Sequence, residues 1–120
     1  MPGKILIIDD DSRNILALKA TLKSKGYDCF SSLSALQGIA FLNSEPGIDI
    51  VLIDMMMPEM DGYEAIPKIK SQHPSTPVIS VTAQAMIGDK EKCMAAGADD
   101  YISKPIDVDR LLQLLNKYIN

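Results

Sequence analysis

Three aspartates that lie far apart in the chain each end a short apolar run. Asp9 and Asp10 follow Lys4-Ile5-Leu6-Ile7-Ile8, and Asp54 follows Ile48-Asp49-Ile50-Val51-Leu52-Ile53. Both runs are rich in β-branched residues and nearly continuous in apolar character, which suits strands covered on both faces. In an open parallel sheet the carboxyl ends of the strands face one crevice, so the two acidic endings converge there. Three clustered carboxylates with no basic neighbour in sequence repel one another, and a proton, a lysine or a metal must relieve that repulsion. Oxygen ligands of this hardness favour Mg²⁺ or Ca²⁺ over Zn²⁺. Two more polar residues end apolar runs, Thr82 after Val78-Ile79-Ser80-Val81 and Lys104 after Tyr101-Ile102-Ser103. A carboxylate nucleophile (Asp54), two carboxylates for a cation, a hydroxyl and an ammonium form a set able to hold and accept a phosphoryl group, since a carboxylate can form an acyl phosphate. Such transfer asks little of a protein beyond positioning and electrostatic stabilisation.

The elements that must position these groups alternate in type. Apolar runs alternate with helical patterns five times, which predicts an α/β fold with a parallel sheet. Helices are expected over Ser12 to Lys25, stopped by Gly26, and over Ser34 to Asn43, weakened by Gly38. A third helix is opened by the capping sequence Asp61-Gly62-Tyr63-Glu64, a fourth covers Ile87 to Ala96 with Gly97 as a left-handed cap, and a last one is capped by Asp107. Pro67 falls beyond the first turn of the third helix, where a missing N–H matters, and predicts a kink or a late helix start. Strands are expected at Tyr27 to Ser31, Ile48 to Ile53, Pro77 to Thr82 and Asp100 to Ser103, besides the first run. No linker, repeat or low-complexity tract divides the 120 residues, so one domain over 1–120 is expected.

Bulk properties narrow the function. Apolar content of 47% with 23% charged residues excludes a disordered chain. A net charge of −4 argues against a nucleic-acid surface, and the absence of Trp, with two Phe and four Tyr, argues against a base-stacking platform. No apolar stretch approaches the ~18 residues of a membrane span, and no basic-plus-apolar leader opens the chain. Cys29 and Cys93 follow no metal spacing and fit a reduced, cytoplasmic protein.

The chain resembles the response-regulator receiver family, the phosphoacceptor domains of two-component signalling. The resemblance rests on Ile5-Leu6-Ile7-Ile8-Asp9-Asp10-Asp11, Asp54-Met55-Met56-Met57-Pro58-Glu59-Met60-Asp61-Gly62, Val81-Thr82-Ala83 and Tyr101-Ile102-Ser103-Lys104-Pro105, in order and each at a strand end. It implies a flavodoxin-like five-stranded sheet of order 2-1-3-4-5 with five helices. It implies Asp54 as phosphoacceptor, and Asp9, Asp10, Asp54 and the backbone carbonyl of Met56 as ligands of Mg²⁺. It further implies Thr82, Ala83 and Lys104 as phosphate contacts, Thr82 with Tyr101 as a switch pair, and a cis bond between Lys104 and Pro105. The implied partners are a sensor histidine kinase or a histidine phosphotransfer protein upstream and an output protein or domain downstream. The stretch Thr82-Ala83-Gln84-Ala85-Met86-Ile87-Gly88-Asp89-Lys90-Glu91-Lys92-Cys93 and the ending Ala96-Gly97-Ala98-Asp99-Asp100-Tyr101 are similar to receivers of hybrid kinases and phosphorelays, and both a free-standing receiver and a hybrid-kinase receiver remain open.

Other residues take plainer readings. Asp11 is expected to cap the first helix, the methionines Met55, Met56, Met57 and Met60 to serve packing, Cys93 to pack, and His73 to be solvent-exposed. Two rival functions are disfavoured. Haloacid-dehalogenase-type phosphatases also use an aspartyl phosphate, but they carry a second aspartate two positions after the nucleophile, where this chain has Met56. A flavodoxin-like ligand binder needs a Gly/Ser/Thr loop for phosphate after the first strand, and Asp9-Asp10-Asp11-Ser12 would repel an anion.

Overall fold

The computed structural model describes residues 3–83 and 88–119. Five strands, β1 (Lys4–Ile8), β2 (Asp28–Ser32), β3 (Ile50–Asp54), β4 (Val78–Thr82) and β5 (Asp100–Ser103), alternate with five helices, α1 (Ser12–Ser24), α2 (Ala35–Ser44), α3 (Gly62–Gln72), α4 (Asp89–Ala96) and α5 (Val108–Ile119). The strands pair in parallel in the order β2-β1-β3-β4-β5, the order the resemblance implies. β1, β3 and β4 are the inner strands, and every residue of β3 and β4 is buried, which accounts for their unbroken apolar sequences.

The alternation of side chains along each strand feeds two apolar layers. Leu6, Ile8, Val51, Ile53 and Val78 pack with α2, α3 and α4 through Ala35, Leu42, Ile66, Ile69 and Cys93. Ile5, Ile7, Leu52, Ile79, Val81 and Ile102 pack with α1 and α5 through Ile15, Leu22, Leu111, Leu114 and Leu115. Burying side chains of this size removes roughly 1.5–3 kcal/mol each from water, so these two layers hold the strand ends in register.

The helix boundaries follow their caps. Asp11 accepts from the Arg13 N–H, Ser34 from Gln37 N–H, and Asp61 from Glu64 N–H. Asp107 accepts from the Asp109 N–H at 2.9 Å. Gly97 closes α4 at φ 113°, a left-handed conformation that favours glycine. Gly38 does not weaken α2 without return: a Cβ there would lie 2.7 Å from Ile8 Cγ1, so its absence lets the helix seat on β1.

Several boundaries differ from expectation. α3 begins at Gly62, after the Asp61 cap that the sequence predicts, so Pro67 lies inside the helix and brings no late start. The Asp61 cap and the burial of Ala65, Ile66 and Ile69 hold the first turns despite the missing N–H at Pro67. β3 starts at Ile50 because Asp49 turns outward to bond β1, its backbone N–H donating to Lys4 O and its Oδ2 accepting from Lys4 N–H. Pro77 precedes β4, offering its carbonyl to Val51 N–H. Ile87, the expected start of α4, lies outside the described residues; among the described residues α4 begins at Asp89. His73 is half-buried and shares a 2.9 Å hydrogen bond with Asn43.

Candidate functional site

The carboxyl ends of β1, β3 and β5 bring four charged groups together. Asp9 is buried, 4% exposed, and Asp54 is 6% exposed, whereas Asp10 faces solvent. Asp9, Asp10 and Asp54 each offer a carboxylate oxygen, and these atoms all lie within 4.8 Å of one another. Lys104 is the cation that sequence proximity did not supply: its Nζ stands 3.4 Å from Asp54 Oδ2 and 3.8 Å from Asp9 Oδ2. Strand alternation explains the convergence. Ile7, Leu52 and Ile102 bury on the α1/α5 side, so the residues two further along, Asp9, Asp54 and Lys104, project from the same side at the rim. The peptide bond between Lys104 and Pro105 is cis, as expected.

The remaining carboxylate oxygens are partly occupied by backbone. Asp9 Oδ1 accepts from the Asp11 N–H at 2.9 Å, and Asp54 Oδ1 accepts from the Met56 N–H at 3.1 Å. Burial, reinforced by the neighbouring Asp54 and Asp10 charges, raises the Asp9 carboxyl above its ordinary value, against the opposing pull of the Asp11 N–H and of Lys104. One ammonium shared by two buried carboxylates, with a third carboxylate alongside, leaves an excess of negative charge. The donor set is hard oxygen throughout, which suits Mg²⁺.

Thr82 and Tyr101 stand slightly apart from this cluster. Thr82 is 5% exposed, and its carbonyl accepts from the Lys104 N–H at 2.7 Å, tying the ends of β4 and β5 together. Ser80 pairs with Tyr101 in register, so Ser80, Thr82 and Tyr101 share the sheet face that carries α4. Ala83 follows at the exposed rim. Met56 is 69% exposed beside Asp54, while Met55 and Met57 are buried. The packing expected of the methionines therefore holds for those two and for Met60, and not for Met56.

Three features were not foreseen. Lys90 Nζ sits 5.8 Å from the centre of the Tyr101 ring. The Ser80 hydroxyl is buried and has no hydrogen-bond partner among the described residues. Lys70 bonds Thr76 O and Asp99 Oδ2, each at 3.0 Å, and Asp99 Oδ2 also accepts from Val78 N–H. Only the last left a trace in the sequence, as a doubled Asp99-Asp100 at a strand start.

A family model, the response regulator receiver domain, matches residues 5–116. The chain belongs to this family. It is 39% identical over 114 residues to the sensor histidine kinase RcsC of Salmonella typhi, matching 95% of this chain and 12% of that protein. It is 35% identical to hybrid signal transduction histidine kinase L of Dictyostelium discoideum (97% of this chain, 7% of that one). The transcriptional regulatory protein ZraR of Salmonella typhimurium is 36% identical, with 94% of this chain and 25% of that protein covered. The chain thus spans a quarter or less of these relatives. Among solved structures, the receiver domain of sensor histidine kinase PA1611 from Pseudomonas aeruginosa, with a magnesium ion coordinated in its active-site cleft, superposes with a TM-score of 0.89 at 31% identity, covering 99% of this chain and 98% of that one. The receiver domain of the Francisella response regulator 1452 gives 0.90 at 28% identity, covering 98% and 96%. The fold is the flavodoxin-like receiver fold, and the chain is a receiver domain of two-component phosphorelay signalling, in a family of phosphoacceptor domains that work with histidine kinases and output domains. Among the described residues no helix is long and apolar enough to cross a membrane.

Proposed function

We propose that residues 1–120 form one receiver domain whose Asp54 takes a phosphoryl group from a phosphohistidine of a sensor kinase or phosphotransfer protein. A carboxylate oxygen of Asp54 attacks phosphorus in line, the P–N bond to imidazole breaks, and an acyl phosphate forms. The observation that carries the reading is the sharing of the Lys104 ammonium between Asp54 and Asp9, at 3.4 and 3.8 Å, within a cluster of three carboxylates at strand ends. Lys104 would follow the phosphoryl oxygens once Asp54 is phosphorylated, and Thr82 with the Ala83 backbone would contact them from the next strand. Asp9, Asp10, Asp54 and the Met56 carbonyl would hold Mg²⁺. Bound there, the ion supplies divalent charge against the negative charge of the phosphoryl group.

Asp54 is the only group of the chain consumed in this exchange, so the domain catalyses its own phosphorylation and dephosphorylation and no turnover of an external substrate. The donor reaches Asp54 over a cleft of about 490 Å³ between α1 and the β5–α5 loop, lined by Asn14, Leu18, Pro105, Ile106 and Val108 together with Asp9 and Lys104. Phosphorylation draws the Thr82 hydroxyl toward the phosphoryl group and Tyr101 inward, a two-state equilibrium biased by contacts of one state only. The α4–β5–α5 face carries that change to an output protein or domain. The setting is cytoplasmic, with no direct nucleic-acid or membrane contact. The test is labelling by acetyl phosphate: with Mg²⁺ the protein should gain one acid-labile phosphoryl group, and Asp54→Asn should gain none. Undiminished labelling of Asp54→Asn refutes the assignment.

A further inference from the structure

The sheet face that carries α3 and α4 is an apolar layer with one polar atom left over. Val51, Ile53 and Val78 fill this layer with Ile66, Ile69 and Cys93. Strand alternation puts Ser80 and Thr82 on the same face of β4 as Val78. Ser80 is fully buried, and its hydroxyl has no hydrogen-bond partner among the described residues. An unmet hydroxyl in apolar surroundings costs stability, so serine here burdens the resting fold in a way that alanine would not. Its neighbours in register are Ile53 on β3 and Tyr101 on β5. Tyr101 is half-buried, and Nζ of Lys90, an exposed residue of α4, stands 5.8 Å from its ring centre.

We propose that Ser80 is the positioning residue that receives the Tyr101 hydroxyl in the phosphorylated domain, and that its unmet bond in the resting domain favours the change; the proposal rests on the switch reading above. A tyrosine that moves inward takes its phenol oxygen out of water, and a buried Tyr hydroxyl needs a partner. Thr82 is drawn toward the phosphoryl group and cannot serve. The Cys93 thiol is engaged by the Tyr63 hydroxyl. Ser80 remains, in register with Tyr101 on the adjacent strand at a spacing of about 4.8 Å, and its hydroxyl can donate or accept. The two states then differ in what Tyr101 touches. In the resting domain its ring lies by Lys90 and Ser80 goes unsatisfied; in the phosphorylated domain Tyr101 and Ser80 satisfy each other. Both terms bias the equilibrium toward the inward ring once the phosphoryl group holds Thr82 away.

The test uses beryllofluoride with Mg²⁺, a mimic of a phosphoryl group on a carboxylate. In the parent it should bring a nuclear Overhauser contact between the Tyr101 ring and the Ser80 Cβ protons that the metal-free protein lacks. Without ligand, Ser80→Ala should unfold at a higher urea concentration than the parent, because an unmet hydroxyl has gone. It should keep the parent's affinity for Mg²⁺ alone, which reports an intact acidic cluster. Its affinity for beryllofluoride should fall roughly tenfold, since one bond is lost from the switched state and one burden from the resting state. In a Tyr101→Phe background the same substitution should change that affinity by less than about twofold. A lower urea midpoint for Ser80→Ala, showing a hydroxyl already satisfied, overturns the proposal. So does an unchanged beryllofluoride affinity, a loss that persists in Tyr101→Phe, or the absence of the Tyr101–Ser80 contact. If beryllofluoride leaves the Asp54 amide unmoved, the phosphoacceptor reading itself fails; if it shifts Asp54 and leaves the Tyr101 ring in place, the switch reading fails and the proposal falls with it.

Discussion

Replacing Asp9 with Asn should stabilise the metal-free protein while removing its response to Mg²⁺. Asp9 is 4% exposed and carries a charge whose Coulombic surroundings nearly cancel. Repulsion from Asp54, with oxygens within 4.8 Å, is ~3.5 kcal/mol at an effective dielectric near 20. Repulsion from solvent-exposed Asp10 at a similar distance is only ~0.9 kcal/mol in a water-like dielectric. The attraction of Lys104 at 3.8 Å comes to ~4.4 kcal/mol on the first scale. What is left is the cost of burying a carboxylate, which amounts to several kcal/mol before hydrogen bonding. The Asp11 N–H at 2.9 Å recovers part of that cost, and an Asn at position 9 keeps the same acceptor oxygen for it. The expected gain is therefore about 1–2 kcal/mol, or roughly 3–10 °C in melting temperature for a domain of this size. Thermal unfolding followed by circular dichroism in EDTA and in excess Mg²⁺ measures both halves. The parent should rise by about 1.4 kcal/mol at ten times its Kd for Mg²⁺, and Asp9→Asn should start higher and barely respond. A variant that melts at or below the parent in EDTA, or that gains as much from Mg²⁺, refutes the account of Asp9 as a strained ligand.

Because the folded protein holds the Asp9 proton more tightly than the unfolded chain does, metal-free stability should fall as pH rises from the ordinary carboxyl value of 3.8 through the raised one. The advantage of Asp9→Asn over the parent should accordingly be full above the raised value and vanish below about pH 3.8, and parent Mg²⁺ affinity, followed by titration calorimetry, should weaken as pH falls through the same interval. Tyr118→Phe removes hydroxyl bonds to Asp99 O at 2.9 Å and Asp100 Oδ2 at 3.1 Å; urea denaturation should show a loss of about 1–2 kcal/mol. Met56 is exposed beside Asp54 and cannot usefully orient water, and Gln84, two positions after Thr82 and outside the described residues, is neutral and cannot act as a base, so Met56→Asn with Gln84→Glu should shorten the phosphoryl lifetime severalfold in a chase of labelled protein.

The order and type of all ten elements were legible because the inner strands are continuous apolar runs and the helices carry recognisable caps. Asp54, Thr82 and Lys104 could be read as neighbours because each ends a strand, and a parallel sheet gathers strand ends. Other features depend on tertiary contacts that no local pattern encodes. Pro67 is a helix breaker by local rules, yet the capped and buried turns around it keep α3 intact. Gly38 reads as a weakness until Ile8 is seen beneath it. Met55, Met56 and Met57 are identical in type, and the loop leaving β3 buries two of them and exposes the third. The Lys104 link to both Asp54 and Asp9 required strand alternation across three strands, and the pairing of Lys90 with the Tyr101 ring required the seating of α4.

The most direct test of Asp54 as acceptor is chemical trapping of the phosphorylated residue. Borohydride reduces an acyl phosphate to the alcohol, so protein labelled by acetyl phosphate and Mg²⁺ and then reduced should contain homoserine in place of one aspartate, located by tandem mass spectrometry. The account predicts homoserine at position 54, with Asp9, Asp10 and Asp11 unchanged. Homoserine at position 9 or 10 with Asp54 intact, or a borohydride-resistant phosphate on His73 or a hydroxyl residue, contradicts it.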